Sequence, residues 1–234
     1  MVIEVAEPSI AEPASEPTLA ASEPAPVAPD IVPSISPEWD MFAGGTPDKG
    51  HGIFQVEAGF TALPAVAYHC AVAPRFTVGV RAAFDDGFDQ LDLVFVPSVL
   101  VQVPLRLSLR RERLSIGLRF DPGGGVTFAQ VESFGQVIAN YSIIKILVPL
   151  SVALEYHFGR IAMGVGASAS MRVAIPTTGT AITEQFPVLA GPLFEGALSD
   201  NLRLTVDAEA GVLIPTSGDL LFVFHAVAGV AVRL

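Results

Sequence analysis

The chain holds four histidines, His51, His69, His157 and His225, and general-base or nucleophilic chemistry needs one of them within hydrogen-bond reach of a serine or carboxylate. His69, His157 and His225 share one parity along an extended chain, but none sits in a His-x-Ser or Asp-His pairing. The expectation is therefore no catalytic residue and no enzymatic activity. The "DPGGG" run that ends at Gly125 has the glycine content of a phosphate-cradling loop, yet that motif requires a helix after it and no helical pattern is present there. It is read as a flexible loop tip. Cys70 is alone, which excludes a disulfide framework and a thiol pair for metal or redox work, and leaves a small apolar filler. Asp85, Asp86, Asp89, Asp121, Glu132, Glu184 and Asp219 fall between the periodic segments and could bridge divalent cations, although a solvated acidic rim is the simpler reading. No metal site and no cofactor is expected.

The remaining charged residues are more informative, because they lie inside apolar segments. In "PRFTVGVRAAF", Phe76, Val78, Val80 and Phe84 fall on one side of an extended chain, and Arg75, Thr77, Gly79 and Arg81 on the other. The same alternation recurs in "LSIGLRF", "IIKILVPLSVALEYHF", "IAMGVGASASMRV" and "LRLTVDAEAGV". Alternation over so many residues is incompatible with a helical period. About ten strands are expected, with 8 or 12 also compatible: 52–61, 63–72, 74–84, 91–109, 112–121, 141–158, 160–174, 186–198, 201–213 and 220–234.

Composition divides the chain. Residues 1–50 carry nine acidic side chains against Lys49, whereas the rest carries 15 acidic and 12 basic ones, so the formal charge of -11 belongs mostly to the N-terminal part. The mean hydropathy of +0.54 belongs to the remainder. Residues 1 to about 37 place a proline every few positions among Ala, Ser and Glu, which predicts a disordered, semi-stiff spacer. The division expected is 1–50 for the acidic tail and junction, with Trp39 anchoring the junction, and 51–234 for a β domain. Nucleic acid is excluded as a partner, since no basic face is interleaved with aromatics. No run reaches the 18 or so apolar residues of a membrane helix. The start "MVIEVAEPSIAEP" lacks the basic and apolar regions of a secretory signal, so an exported protein would correspond here to a mature form or a late start.

Three features favour lipid over water on the apolar face. Expected connections alternate between short turns ("AP", "RRER", "GR", "SDN") and longer spans, including one of about 20 residues at 121–140. The short turns and their edges hold Arg75, Arg110, Arg111, Arg113 and Arg160 against Glu112 and Asp200, whereas the longer spans hold the acidic residues named above and no Lys or Arg. Aromatics on the apolar face, among them Phe54, Phe60, Phe120, Tyr156, Phe158 and Phe222, gather towards strand ends. Phe76, Val78, Val80, Phe84, Ile146, Val148 and Leu150 are then lipid-facing. The opposite face carries Glu57, Arg81, Asp92, Arg106, Arg119, Lys145, Glu155, Arg172, Glu195, Arg203, Asp207, Glu209, His225 and Arg233. Charges of both signs inside strands are costly against hydrocarbon and tolerable in a polar lumen, which ten strands would leave largely filled.

With dyad repeats, alternating turn lengths and a last strand "LLFVFHAVAGVAVRL", residues 51–234 resemble the small outer-membrane β-barrel proteins of Gram-negative bacteria, the OmpA, OmpX and OmpW-like group. That group usually ends on an aromatic residue where this chain has Leu234. The resemblance implies a closed antiparallel up-and-down transmembrane barrel in the outer membrane, with lipid and lipopolysaccharide around it and the N-terminal tail in the periplasm, facing a periplasmic or cell-wall partner. It carries no family-specific motif. The expected function is a structural or interaction component with a filled lumen. The alternatives are a narrow pore for ions or small solutes, and a soluble lipocalin-like barrel with its apolar face turned inward around a ligand.

Overall fold

The computed structural model describes residues 39, 41–42, 50–59, 63–85, 98–111, 113–133, 136–177, 182–216 and 218–234. The expected spacer and Phe60, Asp86, Asp89 and Asp92 lie outside the described residues. The chain forms two units, Met1–Ser34 and Ile35–Leu234, and the described residues all belong to the second.

Its regular structure is entirely β: β1 (Gly52–Gly59), β2 (Leu63–Ala73), β3 (Phe76–Asp85), β4 (Ser98–Gln102), β5 (Leu105–Arg111), β6 (Leu114–Phe120), β7 (Gly123–Ser133), β8 (Gln136–Phe158), β9 (Ile161–Pro176), β10 (Thr183–Ala197), β11 (Leu202–Pro215) and β12 (Leu221–Arg233). Every pairing is antiparallel. The sheet closes because β1 pairs with both β2 and β12, while β2–β3 and β7–β8 contacts complete the ring. Closure leaves no edge strand, and that is the condition under which strands can cross a bilayer.

The twelve segments make ten staves. β4 and β5 are one stave interrupted at Val103 and Pro104, and β6 and β7 are one stave interrupted at Asp121 and Pro122. Register survives both interruptions. Along β3, Arg81 faces Gln102 before the first and Val78 faces Leu105 after it. Along β8, Phe120 faces Leu150 before the second and Gly123 faces Leu147 after it. A proline has no N–H to give to the ladder, but its carbonyl still accepts. Gly79 N–H donates to the Pro104 carbonyl and Val103 N–H to that of Pro122, both at 2.8 Å.

This arrangement corrects three expectations. The span 121–140 is mostly strand, since β7 and the start of β8 form a ribbon whose pairs run to Ser133 and Gln136. Gly123 and Gly125 are strand residues packed against β4, where a Cβ on Gly125 would collide with the Val99 carbonyl oxygen. Asp121 is buried at the stave interruption instead of exposed on a loop rim. Three glycines in a row and mixed polar residues leave little alternation to read there. The β8–β9 turn does use a glycine as a turn, Gly159 at φ 68°, a left-handed conformation that costs other residues more.

Burial follows the alternation. In β1 the inward residues Ile53, Gln55 and Glu57 are buried, whereas Phe54, Val56 and Ala58 are exposed. Apolar side chains close the interior near the short-turn end, where Trp39, Met41, Ile53 and Ala231 cluster. A second apolar layer, Ala65, Ala83 and Leu100 with Leu147 against them, lies further along β2, β3 and β4. Between the two layers the interior is ionic.

Candidate functional site

The ionic layer is built by inward positions of the staves from β1 to β6, with its first ion pair reaching across β2. Glu57 on β1 pairs with Arg81 on β3 at 2.9 Å and accepts a 2.6 Å hydrogen bond from Gln55. Arg81 also donates to Gln102 at 2.7 Å, and Gln102 donates to the Asp121 carbonyl at 3.2 Å. Arg119 closes the chain through its ion pair with the Asp121 carboxylate. Beside this network a cavity of about 50 Å³ is lined by Phe42, Glu57, Arg81, Arg119, Thr205, Asp207, His225 and Val227. Its size and polar walls suit water.

A second network seals the short-turn end. Arg203 pairs with Glu195 at 2.5 Å, and the other Glu195 oxygen accepts the Met41 N–H at 2.8 Å. Arg106 donates to the Met41 carbonyl at 2.9 Å. The Trp39 indole donates to the Asp200 carbonyl at 3.1 Å and lies 4.7 Å from the Arg203 guanidinium carbon. Trp39 and Met41 are 1% and 2% exposed, so these two residues are built into the barrel as a plug.

Other inward residues form smaller groups. Ser168 donates to Glu209 at 2.8 Å, and Lys145 donates to Ser98 at 3.1 Å, which shares a 2.5 Å hydrogen bond with Thr127. Glu155 is buried, and His225 faces the cavity. Arg233 reaches Asn201 at the short-turn rim, and Arg172 is exposed towards the other mouth, both being close to strand ends. On the outer face Val80, Phe84, Ile146 and Leu150 are 42–57% exposed, whereas Phe76, Val78 and Val148 are half-buried.

Sequence reasoning missed several members of these networks. Gln55, Gln102 and Thr205 lie on inward parity positions, which was the available signal. Met41 carried none, because the polar contacts that hold it run through its backbone N–H and carbonyl. Ser115 and His157 form a pair that the absence of a local motif hid: they sit on neighbouring staves, 2.7 Å apart, and both are buried. With Ser115 wholly inaccessible, no substrate carbonyl can reach its hydroxyl in this conformation. Among the described residues no group of three or more His, Cys, Asp or Glu side chains could hold a metal ion.

Fold and site together define a closed antiparallel β-barrel of ten staves with a plugged, ion-paired interior and an apolar exterior. No protein-family model matches the sequence, and no curated protein matches it either. Among solved structures, it is similar to a loop L8 deletion mutant of OmpT, an outer membrane protein of Vibrio cholerae, at 8% identity and a TM-score of 0.27, over 79% of this chain and 98% of that one. A bacterial polysaccharide outer membrane secretin matches at 10% identity and a TM-score of 0.28, over 81% of this chain and 78% of the other.

Proposed function

We propose that the chain is an integral outer-membrane β-barrel with a filled polar interior, acting as a structural or interaction component of that membrane. One observation carries the reading. The closed sheet exposes Val, Leu, Ile, Phe and Met all around its outer wall while Glu57, Glu155, Glu195, Arg106 and Arg203 are buried inside. In water this distribution would leave a very large apolar surface uncovered and bury charges at several kcal/mol each. In a bilayer it is the stable one, since a closed barrel satisfies every backbone group and lipid solvates the aliphatic wall. The lipocalin-like alternative needs the opposite distribution and does not describe this barrel.

On this reading the short turns face the periplasm, the residues preceding Trp39 lie on that side as a spacer towards a periplasmic or cell-wall partner, and the other rim meets lipopolysaccharide. The plug and the Glu57–Arg81–Gln102 network make the barrel non-conducting at rest. The cavity beside Arg81 and Arg119 favours a second reading, a narrow pore with arginines setting selectivity. Planar-bilayer recordings of the folded full-length chain decide between them. Silence supports the structural role, whereas steps altered by Arg119→Ala establish the pore.

A further inference from the structure

The four turns at the plugged end share one piece of backbone geometry. In each, a turn carbonyl accepts a hydrogen bond from an N–H on the next stave: Arg75 from Ser108 at 2.9 Å, Arg113 from His157 at 2.9 Å, Arg160 from Ala197 at 2.7 Å and Asn201 from Arg233 at 2.8 Å. The stitch fixes where the turn residue stands relative to the wall. In three of the four that residue is an arginine. Arg75, Arg113 and Arg160 are all exposed, and among the described residues none of their guanidinium groups has a hydrogen bond or ion pair. Directly along the wall from them stand exposed apolar residues: Val72 before Arg75, Leu114 after Arg113, and Phe158 and Ile161 on either side of Arg160. The same rim also exposes Asp200 in the fourth turn, and the opposite rim exposes Glu184 and Asp219 together with Arg172.

We propose that these arginines form a collar that binds the phosphates of anionic glycerophospholipids in the leaflet on the short-turn side. This rests on the reading of the chain as a membrane barrel and adds the partner of one rim. A guanidinium at the end of an apolar row sits at headgroup depth, its stem along acyl chains and its fork turned to phosphate, which it can bind bidentately. Three such groups spaced round one rim, with no carboxylate paired to them among the described residues, give a local positive potential that favours anionic over zwitterionic headgroups within a Debye length.

The test reconstitutes the full-length chain in phosphatidylcholine bilayers and measures, by spin-label EPR, the association of labelled phosphatidylglycerol relative to labelled phosphatidylcholine at the protein surface. The expected ratio is at least about twofold at low salt, falling towards about one at high salt. Arg75→Gln, Arg113→Gln and Arg160→Gln combined should bring it to about one, with the folded gel mobility unchanged. Glu184→Gln with Asp219→Asn should leave it at or above the wild-type value. A wild-type ratio of one, a preference retained by the triple variant, or a preference confined to lipid A would overturn the collar. Absence of any motionally restricted lipid signal would instead overturn the membrane reading beneath it.

Discussion

The Trp39 indole lies against the Arg203 guanidinium, 4.7 Å from ring centroid to its central carbon, and so joins the segment before β1 to an inward residue of β11. Trp39 is the only tryptophan in the chain, and its emission therefore reports the plug directly. Folded protein should show blue-shifted fluorescence shielded from aqueous quenchers. Trp39→Ala should cost about 3–5 kcal/mol, as for other buried aromatics, in equilibrium unfolding from bilayers or detergent followed by circular dichroism.

Glu195 holds both Arg203 and the Met41 backbone, and it is wholly buried. Glu195→Ala leaves a buried guanidinium without its counter-ion and should destabilise the barrel by about 3–5 kcal/mol. Removing both charges together, as Glu195→Met with Arg203→Leu, should cost much less, because the desolvation penalty of the pair disappears with it. A double-mutant cycle on unfolding free energies checks the difference.

The outer wall makes a depth-dependent prediction. Val80→Arg and Leu150→Arg place a charge on exposed outward positions and should each cost about 2–4 kcal/mol if they lie near the bilayer midplane. Glu184→Arg, at an exposed position near the far end of β10, should cost about 0–1 kcal/mol. Comparable costs at all three positions, measured by unfolding from bilayers, would contradict a lipid-facing wall.

Gly125 is needed for the approach of β7 to β4, since a Cβ there would collide with the Val99 carbonyl oxygen and stand 2.5 Å from a Leu100 methyl group. Gly125→Val should force the two segments apart, costing about 1–3 kcal/mol and lowering the folded fraction on gels. Gly159→Ala, with open space around it, should show only the cost of its left-handed turn.

The alternation of β3, β8, β9 and β11 made the barrel legible, because side chains facing lipid and side chains facing the interior obey opposite rules at every second residue. The role of Trp39 as an anchor was legible from its position at the change in composition. Whatever carried no side-chain pattern escaped. Gly123–Gly125 have no side chains to alternate, so a strand read as a loop and Asp121 as part of a rim. Pro104 fell inside the expected strand 91–109 and Pro122 inside the expected span 121–140, yet both interrupt staves whose register continues. The plug is held by the N–H and carbonyl of Met41, and the Ser115–His157 pair joins residues far apart in sequence; neither leaves a local motif.

Heat-modifiability tests the central claim most directly. Full-length chain from fractionated cells is run on SDS gels with and without boiling. A closed, detergent-resistant membrane barrel predicts a band in the membrane fraction that migrates faster unboiled than boiled. A band in the soluble fraction with mobility indifferent to boiling would contradict the account.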